Sequence, residues 1–151
     1  MNIFQAAVAD IPRMMQCAKD CCEEHGEARL GGKLDEEFYA AEWSKLIASG
    51  GGVMFLAEDG SGRIFGGIGG AIGRVMLTGK MRAGLLFWYV EKSHRTGLTA
   101  IRLVKVFEDW AKERGCAQIS MAVNEGMSDH SGKFYERRGY EFAETFYRKF
   151  L

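Results

Sequence analysis

Six apolar residues, Leu85 to Val90, lead through a short polar turn into Arg95-Thr96-Gly97-Leu98-Thr99-Ala100, and a helical pattern then continues to Arg114. Such a junction can hold an anion. In the first turn of a helix about four backbone N–H groups lack intrahelical partners, and the helix dipole places roughly half a positive charge there. Gly97 removes a side chain where a ligand would approach the backbone, and Arg95 and Lys92 add positive charge beside the donors. The ligand expected on Thr96 to Ala100 carries a pyrophosphate. Two other phosphate loops are excluded by inspection. Gly79-Lys80 is followed by Met81, with Arg74 where a P-loop needs its first glycine, and the run from Gly66 to Gly73 lacks the Rossmann glycine spacing.

The elements that position this turn follow from periodicity. Ile3 to Val8 reads as a strand, and Asp10 as the cap of a helix with Pro12 near its start that runs to about Glu24. Asp35 opens a second helix, ended by Gly50-Gly51-Gly52. Val53 to Glu58 and Arg63 to about Val75 form a hairpin around Asp59-Gly60-Ser61-Gly62, although the second strand is rich in glycine. Ala83 to Val90 is apolar enough for a strand covered on both faces. The helix after it places Ala100, Leu103, Val104, Phe107 and Ala111 on one side, and Arg102, Lys105, Asp109 and Lys112 on the other. Alternation over Ala117 to Val123 gives the next strand, joined by a right-handed crossover. A short helix from about Asp129 to Arg138 ends at Gly139, and one or two strands finish at Leu151. The order is βααβββαβαβ(β), an α/β (α+β) arrangement in one domain over residues 1–151.

Formal charge is zero, but residues 1–62 carry 5 basic and 11 acidic side chains, and residues 63–151 carry 15 and 9. The basic half contains the phosphate turn, and the acidic half suits a cationic acceptor such as an amine. The neutral balance, with no aromatic-basic stripe, argues against nucleic-acid binding, an aminoacyl-tRNA acceptor excepted. Met1-Asn2-Ile3-Phe4-Gln5 brings no positive charge before an apolar run, and no stretch reaches 18 uncharged apolar residues, so a cytoplasmic protein without membrane attachment is expected. Cys17, Cys21 and Cys22 crowd one helix, apart from Cys116, and read as reduced core thiols. Cys17, Cys21 and His25 share a helical face, but the paired CxxC knuckles of zinc sites are absent, and no metal is expected.

The strand, basic turn and helix, followed by Phe134-Tyr135-Glu136-Arg137-Arg138-Gly139-Tyr140, resemble the GNAT superfamily of N-acetyltransferases. Val90 to Arg95 resembles the family's strand end and basic residue, with Lys92 where proline is usual, and Gly115 to Val123 resembles the strand after the cofactor helix. The family's turn runs Gln or Arg, two residues, Gly, one residue, then Gly or Ala. Counted from Arg95, Ala100 fits and Leu98 takes the glycine position; counted from His94, Gly97 fits and Thr99 takes the last small position.

The resemblance implies a mixed, splayed central sheet flanked by helices. It implies acetyl-CoA as cosubstrate, its phosphates on Arg95, Thr96, Gly97, Leu98, Thr99 and Ala100, its pantetheine arm in the splay along Trp88 and Val90, and Asn124 at the border. Tyr135 takes the place of the family's general acid, which protonates the departing thiolate. The implied activity is N-acetylation of a primary amine by direct attack on the thioester; the alternative is a non-catalytic acyl-CoA-binding or regulatory module on the same fold. The base is open among Glu91, His94, His130 and solvent, the acceptor loop is expected over Glu24 to Lys33 with Glu141 to Thr145 opposite and acidic Glu23, Glu24 and Glu27, and a homodimer is left open.

Overall fold

In a computed structural model, describing residues 1–24, 33–95, 97–123, 129–149 and 151, the alternation in Gly52–Glu58 separates two cores. Val53, Phe55 and Ala57 face one, and Met54 and Leu56 face the other. In chain order the elements are β1 (Asn2–Gln5), a 3-10 segment Val8–Met14, α1 (Met15–Glu24), α2 (Glu36–Ala48), β2 (Gly52–Glu58), β3 (Ile64–Arg74) and β4 (Met81–Val90). A 3-10 turn Lys92–His94, α3 (Thr99–Glu113), β5 (Gln118–Ser120) and α4 (Asp129–Arg137) follow. The sheet runs β1-β2-β3-β4-β5, antiparallel except for the β4–β5 pair. This is the mixed, helix-flanked architecture anticipated.

The glycines of β3 are what let the helices close on the sheet. A Cβ at Gly69 would stand 2.7 Å from Cη2 of Trp43 on α2, and one at Gly70 would stand 2.7 Å from Cζ of Phe107 on α3. Each ring therefore lies where a side chain would otherwise be, one on either face. Both are buried, Phe107 completely, and burial of a phenyl side chain is worth about 1.5–3 kcal/mol. The apolar side expected for α3 is found, with Leu103, Val104, Phe107, Trp110 and Ala111 buried and Lys105 paired with Asp109 at 2.6 Å on the outside.

Several boundaries differ from expectation. The first strand stops at Gln5, and Asp10 does not cap the first helix: it lies within the 3-10 segment and accepts from Ala7 N at 3.0 Å, while α1 begins only at Met15. Asp35 does cap α2, its Oδ1 accepting from Phe38 N at 3.0 Å. The strand expected to Val123 stops at Ser120, where its pairing with β4 ends. Residues 140–149 form no strand, and Phe142, Phe146 and Tyr147 are exposed. A strand is a pairing, not a property of its own segment, and those residues are not part of the sheet. No helix among the described residues is long and apolar enough to cross a membrane.

Candidate functional site

The site is organised by a parting of strands. Among the described residues β4 and β5 pair at Arg82–Gln118, Ala83–Ile119 and Gly84–Ser120, although β4 continues to Val90. The parting coincides with a bulge: Gly69 pairs with Phe87 and Gly70 with Leu85, so Leu86 is an extra residue, 61% exposed. Glu91 N donates to Phe65 O at 2.9 Å, which sets residues 89 and 91 at the positions bonding β3. The intervening Trp88 and Val90 therefore turn their N–H and C=O toward the edge that β5 has left. These are the two residues expected to receive a pantetheine arm, and the edge they present is of the kind an extended ligand can join.

At the end of β4 the chain makes the 3-10 turn and enters α3. The N-cap position of α3 is Leu98, which makes no side-chain cap hydrogen bond and is 59% exposed. A Cβ on Gly97 would meet nothing within 4 Å. Thr99, by contrast, is buried, its Oγ1 3.1 Å from Met1 Sδ. The start of α3 thus presents backbone N–H donors that the side chain at its N-cap position does not satisfy. Thr96 and Asn124 lie outside the described residues, as do His25 and Glu27; nothing is described of the His130 side chain.

Arg95 is placed otherwise than its expected role suggests. Its Nη1 and Nη2 donate to Glu24 Oε1 and Oε2 at 2.6 and 2.7 Å, and its Nε donates to Val90 O at 2.7 Å. The guanidinium also lies 5.4 Å from the centre of the Tyr89 ring. It ties the turn to the end of α1. A partner 71 positions away is not readable from periodicity, and this contact was missed.

Beside the same turn, a cleft of about 560 Å³ is lined by Asp20, Glu23, Glu24 and Glu91 with Tyr89 and Lys92. Glu23 and Glu24, expected near an acceptor, thus share it with the end of β4. Glu91 is bound by Arg63, whose Nη1 and Nη2 donate to its two oxygens at 2.6 and 3.0 Å. That guanidinium holds the carboxyl below its ordinary range, which makes it a weaker base. His94 stacks on Phe65 with centroids 4.1 Å apart, its Nδ1 2.9 Å from Ser93 Oγ.

On the other side of β4, Tyr135 of α4 is 6% exposed and its hydroxyl donates to Ala122 O at 3.3 Å. Its ring centre is 5.7 Å from that of Trp88 and 5.5 Å from that of Tyr140. Burial pushes its hydroxyl pKa up, so it is protonated at neutral pH and parts with the proton less readily. α4 is fixed by Glu108 of α3, which accepts from Arg138 Nη2 at 2.6 Å and from Tyr140 at 3.1 Å. Sequence reading had no signal for Glu108, since nothing distinguishes it from other solvent-facing carboxylates of that helix.

Comparison with known proteins follows the same lines. Residues 14–140 match the model of the Acetyltransferase (GNAT) family. Among solved structures, the ribosomal-protein-alanine N-acetyltransferase of Brucella melitensis biovar Abortus 2308 superposes with a TM-score of 0.73 at 18% identity, covering 100% of both chains. A predicted acetyltransferase of Clostridium acetobutylicum with acetyl-CoA gives 0.78 at 16% identity, covering 99% of this chain and 96% of that one. Glucosamine-6-phosphate N-acetyltransferase of Arabidopsis thaliana gives 0.74 at 17%, covering 99% and 97%. Those likenesses are of fold. A search of curated protein sequences found no match.

Proposed function

Because this chain belongs to the GNAT family of acetyltransferases, with acetyl-CoA as cosubstrate, we propose that residues 1–151 act as one catalytic domain that acetylates a primary amine by direct transfer. The observation that carries the reading is the open stretch of β4: Trp88 and Val90 offer backbone groups to an extended ligand at one end of a helix start with uncapped donors. Acetyl-CoA supplies the acyl group as a thioester. Thr96 to Ala100 hold the phosphates through backbone N–H groups, Trp88 and Val90 hold the amide-bearing arm, and Asn124 borders it.

In the transfer a C–N bond forms as the C–S bond breaks. The amine nitrogen gives up a proton, and the sulfur takes one. Tyr135 is the donor we assign to the sulfur, since its position beside Trp88 brings it to the open edge and its pKa keeps it protonated. A higher pKa also makes the donation costlier, by about 1.4 kcal/mol per unit. Glu91, weakened by Arg63, is a poor choice for the amine's base, and we assign that step to solvent. The cleft lined by Asp20, Glu23 and Glu24 favours an acceptor that arrives as a cation.

The test is direct. Calorimetric titration with acetyl-CoA should give a sub-millimolar Kd, and an amine panel should release thiol from acetyl-CoA. Saturating CoA, at about 100 times its Kd, should stabilise the fold by roughly 2.7 kcal/mol. Absence of binding heat and of any thermal shift refutes the reading, and binding without thiol release confines the protein to acyl-CoA binding on the conditions and amines tried.

A further inference from the structure

Trp88 Nε1 is a buried donor with no hydrogen-bond partner among the described residues. Tyr39 Oη is in the same condition, but lies in the opposite core, among Trp43 and Phe87. Trp88 stands at the opened edge itself. Its neighbours Phe87 and Tyr89 face α1 and α2, while its own ring faces the other side, 5.5 Å from Phe134 and 5.7 Å from Tyr135 between centroids. Its backbone is directed at the edge from which β5 has departed.

Buried polar groups in folded proteins are nearly always bonded, and an orphan among them calls for an explanation. An indole N–H can only donate, so what satisfies it must be an acceptor. Phenylalanine would fill the same aromatic cluster without an unpaired polar group. We infer that the Trp88 indole N–H is a ligand-binding donor, whose acceptor is a carbonyl oxygen of the acyl-pantetheine arm of acetyl-CoA. The inference rests on the proposed function above and extends it from the backbone of Trp88 to its side chain. The arm suits the place: it is uncharged and carries amide and thioester carbonyls that can accept from the indole.

Trp88→Phe tests this without acidic or basic change. In the ligand-free protein the substitution removes an unsatisfied donor, so the melting temperature should hold or rise. The Kd for acetyl-CoA should rise about 2- to 12-fold, the loss of one ordinary hydrogen bond. A matching rise for CoA assigns the bond to an amide carbonyl, and a rise for acetyl-CoA alone assigns it to the thioester oxygen. An unchanged Kd in a folded variant overturns the inference and leaves the proposed function standing, whereas a parent protein that binds neither ligand overturns both. A second measurement needs no variant: the chain has 3 tryptophans, and one indole N–H proton resonance should move downfield on saturation with acetyl-CoA. If none of the indole resonances moves, the inference fails.

Discussion

Arg95 and Glu24 join the turn before α3 to the end of α1 through two parallel hydrogen bonds of 2.6 and 2.7 Å. A phosphate group can accept from the same fork. If Arg95 serves the pyrophosphate, the cosubstrate competes with Glu24 for it. Glu24→Gln should then tighten acetyl-CoA binding several-fold, and Arg95→Ala should weaken it, with the difference between variants shrinking at high salt. Titration at two ionic strengths measures both. If Arg95→Ala lowers the melting temperature and leaves the Kd alone, the pair is a clasp within the fold and nothing more.

Gly97 has open space where a side chain would be and no left-handed backbone to preserve. Gly97→Glu should therefore fold normally. Its carboxylate would stand beside the uncapped start of α3 and repel the phosphates by the same field that attracts them. Calorimetry should show weaker binding at an unchanged melting temperature, and equal affinity would place the pyrophosphate elsewhere.

Glu91 gives a pH-dependent contribution of known sign. Arg63 lowers its folded pKa below an unfolded value of about 4.3. Stability from this pair is thus fully present above about pH 4.3 and is lost as pH falls through the folded value. Glu91→Gln should be less stable than the parent in urea at pH 7, and the gap should close by pH 3. A gap that persists at pH 3 would show that packing around Glu91, and not its charge, matters.

Cys17 is buried in the core and Cys21 packs against it. Burial raises the Cys17 thiol to about 11 and the Cys21 thiol to about 12, and Cys17 donates to Ile64 O at 3.5 Å. Metal ligation and alkylation both need the thiolate. Peptide mapping after iodoacetamide at pH 8 should find Cys17 unmodified in the folded protein and modified in urea, with no stoichiometric zinc by elemental analysis. One zinc per chain, lost in Cys21→Ser, would reverse this assignment.

What could be read from sequence was whatever depends on a residue's own neighbours along the chain. The period of Leu103, Val104, Phe107 and Ala111 fixes the buried side of α3, and the apolar run ending at Val90 fixes β4. The glycines of β3 weakened its strand signal because their purpose lies elsewhere, in admitting Trp43 and Phe107 from the two helices. The extent of β5 was overestimated because alternation over Ala117 to Val123 says which face a residue would take, not where its neighbour diverges. The same limit applies to residues 140–149, which form no strand. At the site, the place where α3 starts was legible from the turn, while the Arg95–Glu24 pair and the support of α4 by Glu108 join positions 71 and 30 apart, distances at which local spacing carries no information.

Tyr135 admits two roles that one substitution separates. Its hydroxyl is bonded to Ala122 O at 3.3 Å in a site that is otherwise aromatic, an arrangement that contributes to stability whatever the chemistry. Tyr135→Phe keeps the ring against Trp88 and Tyr140 and removes only the hydroxyl. As the proton donor to sulfur, its loss should lower kcat by about 10²- to 10⁴-fold, the usual contribution of a positioned acid, with the Kd for CoA nearly unchanged. As a packing residue alone, its loss should leave kcat within a few-fold and cost about 1 kcal/mol of stability through the bond to Ala122. Rate and urea stability measured on the same preparation give both numbers. The raised pKa adds a further signature: activity limited by this acid should not fall through pH 9 for want of its proton, because the phenol stays protonated above the range of an ordinary tyrosine. A large loss of kcat together with the parent's alkaline limb unchanged below pH 10 supports the donor role, and an unchanged kcat with reduced stability removes Tyr135 from the chemistry.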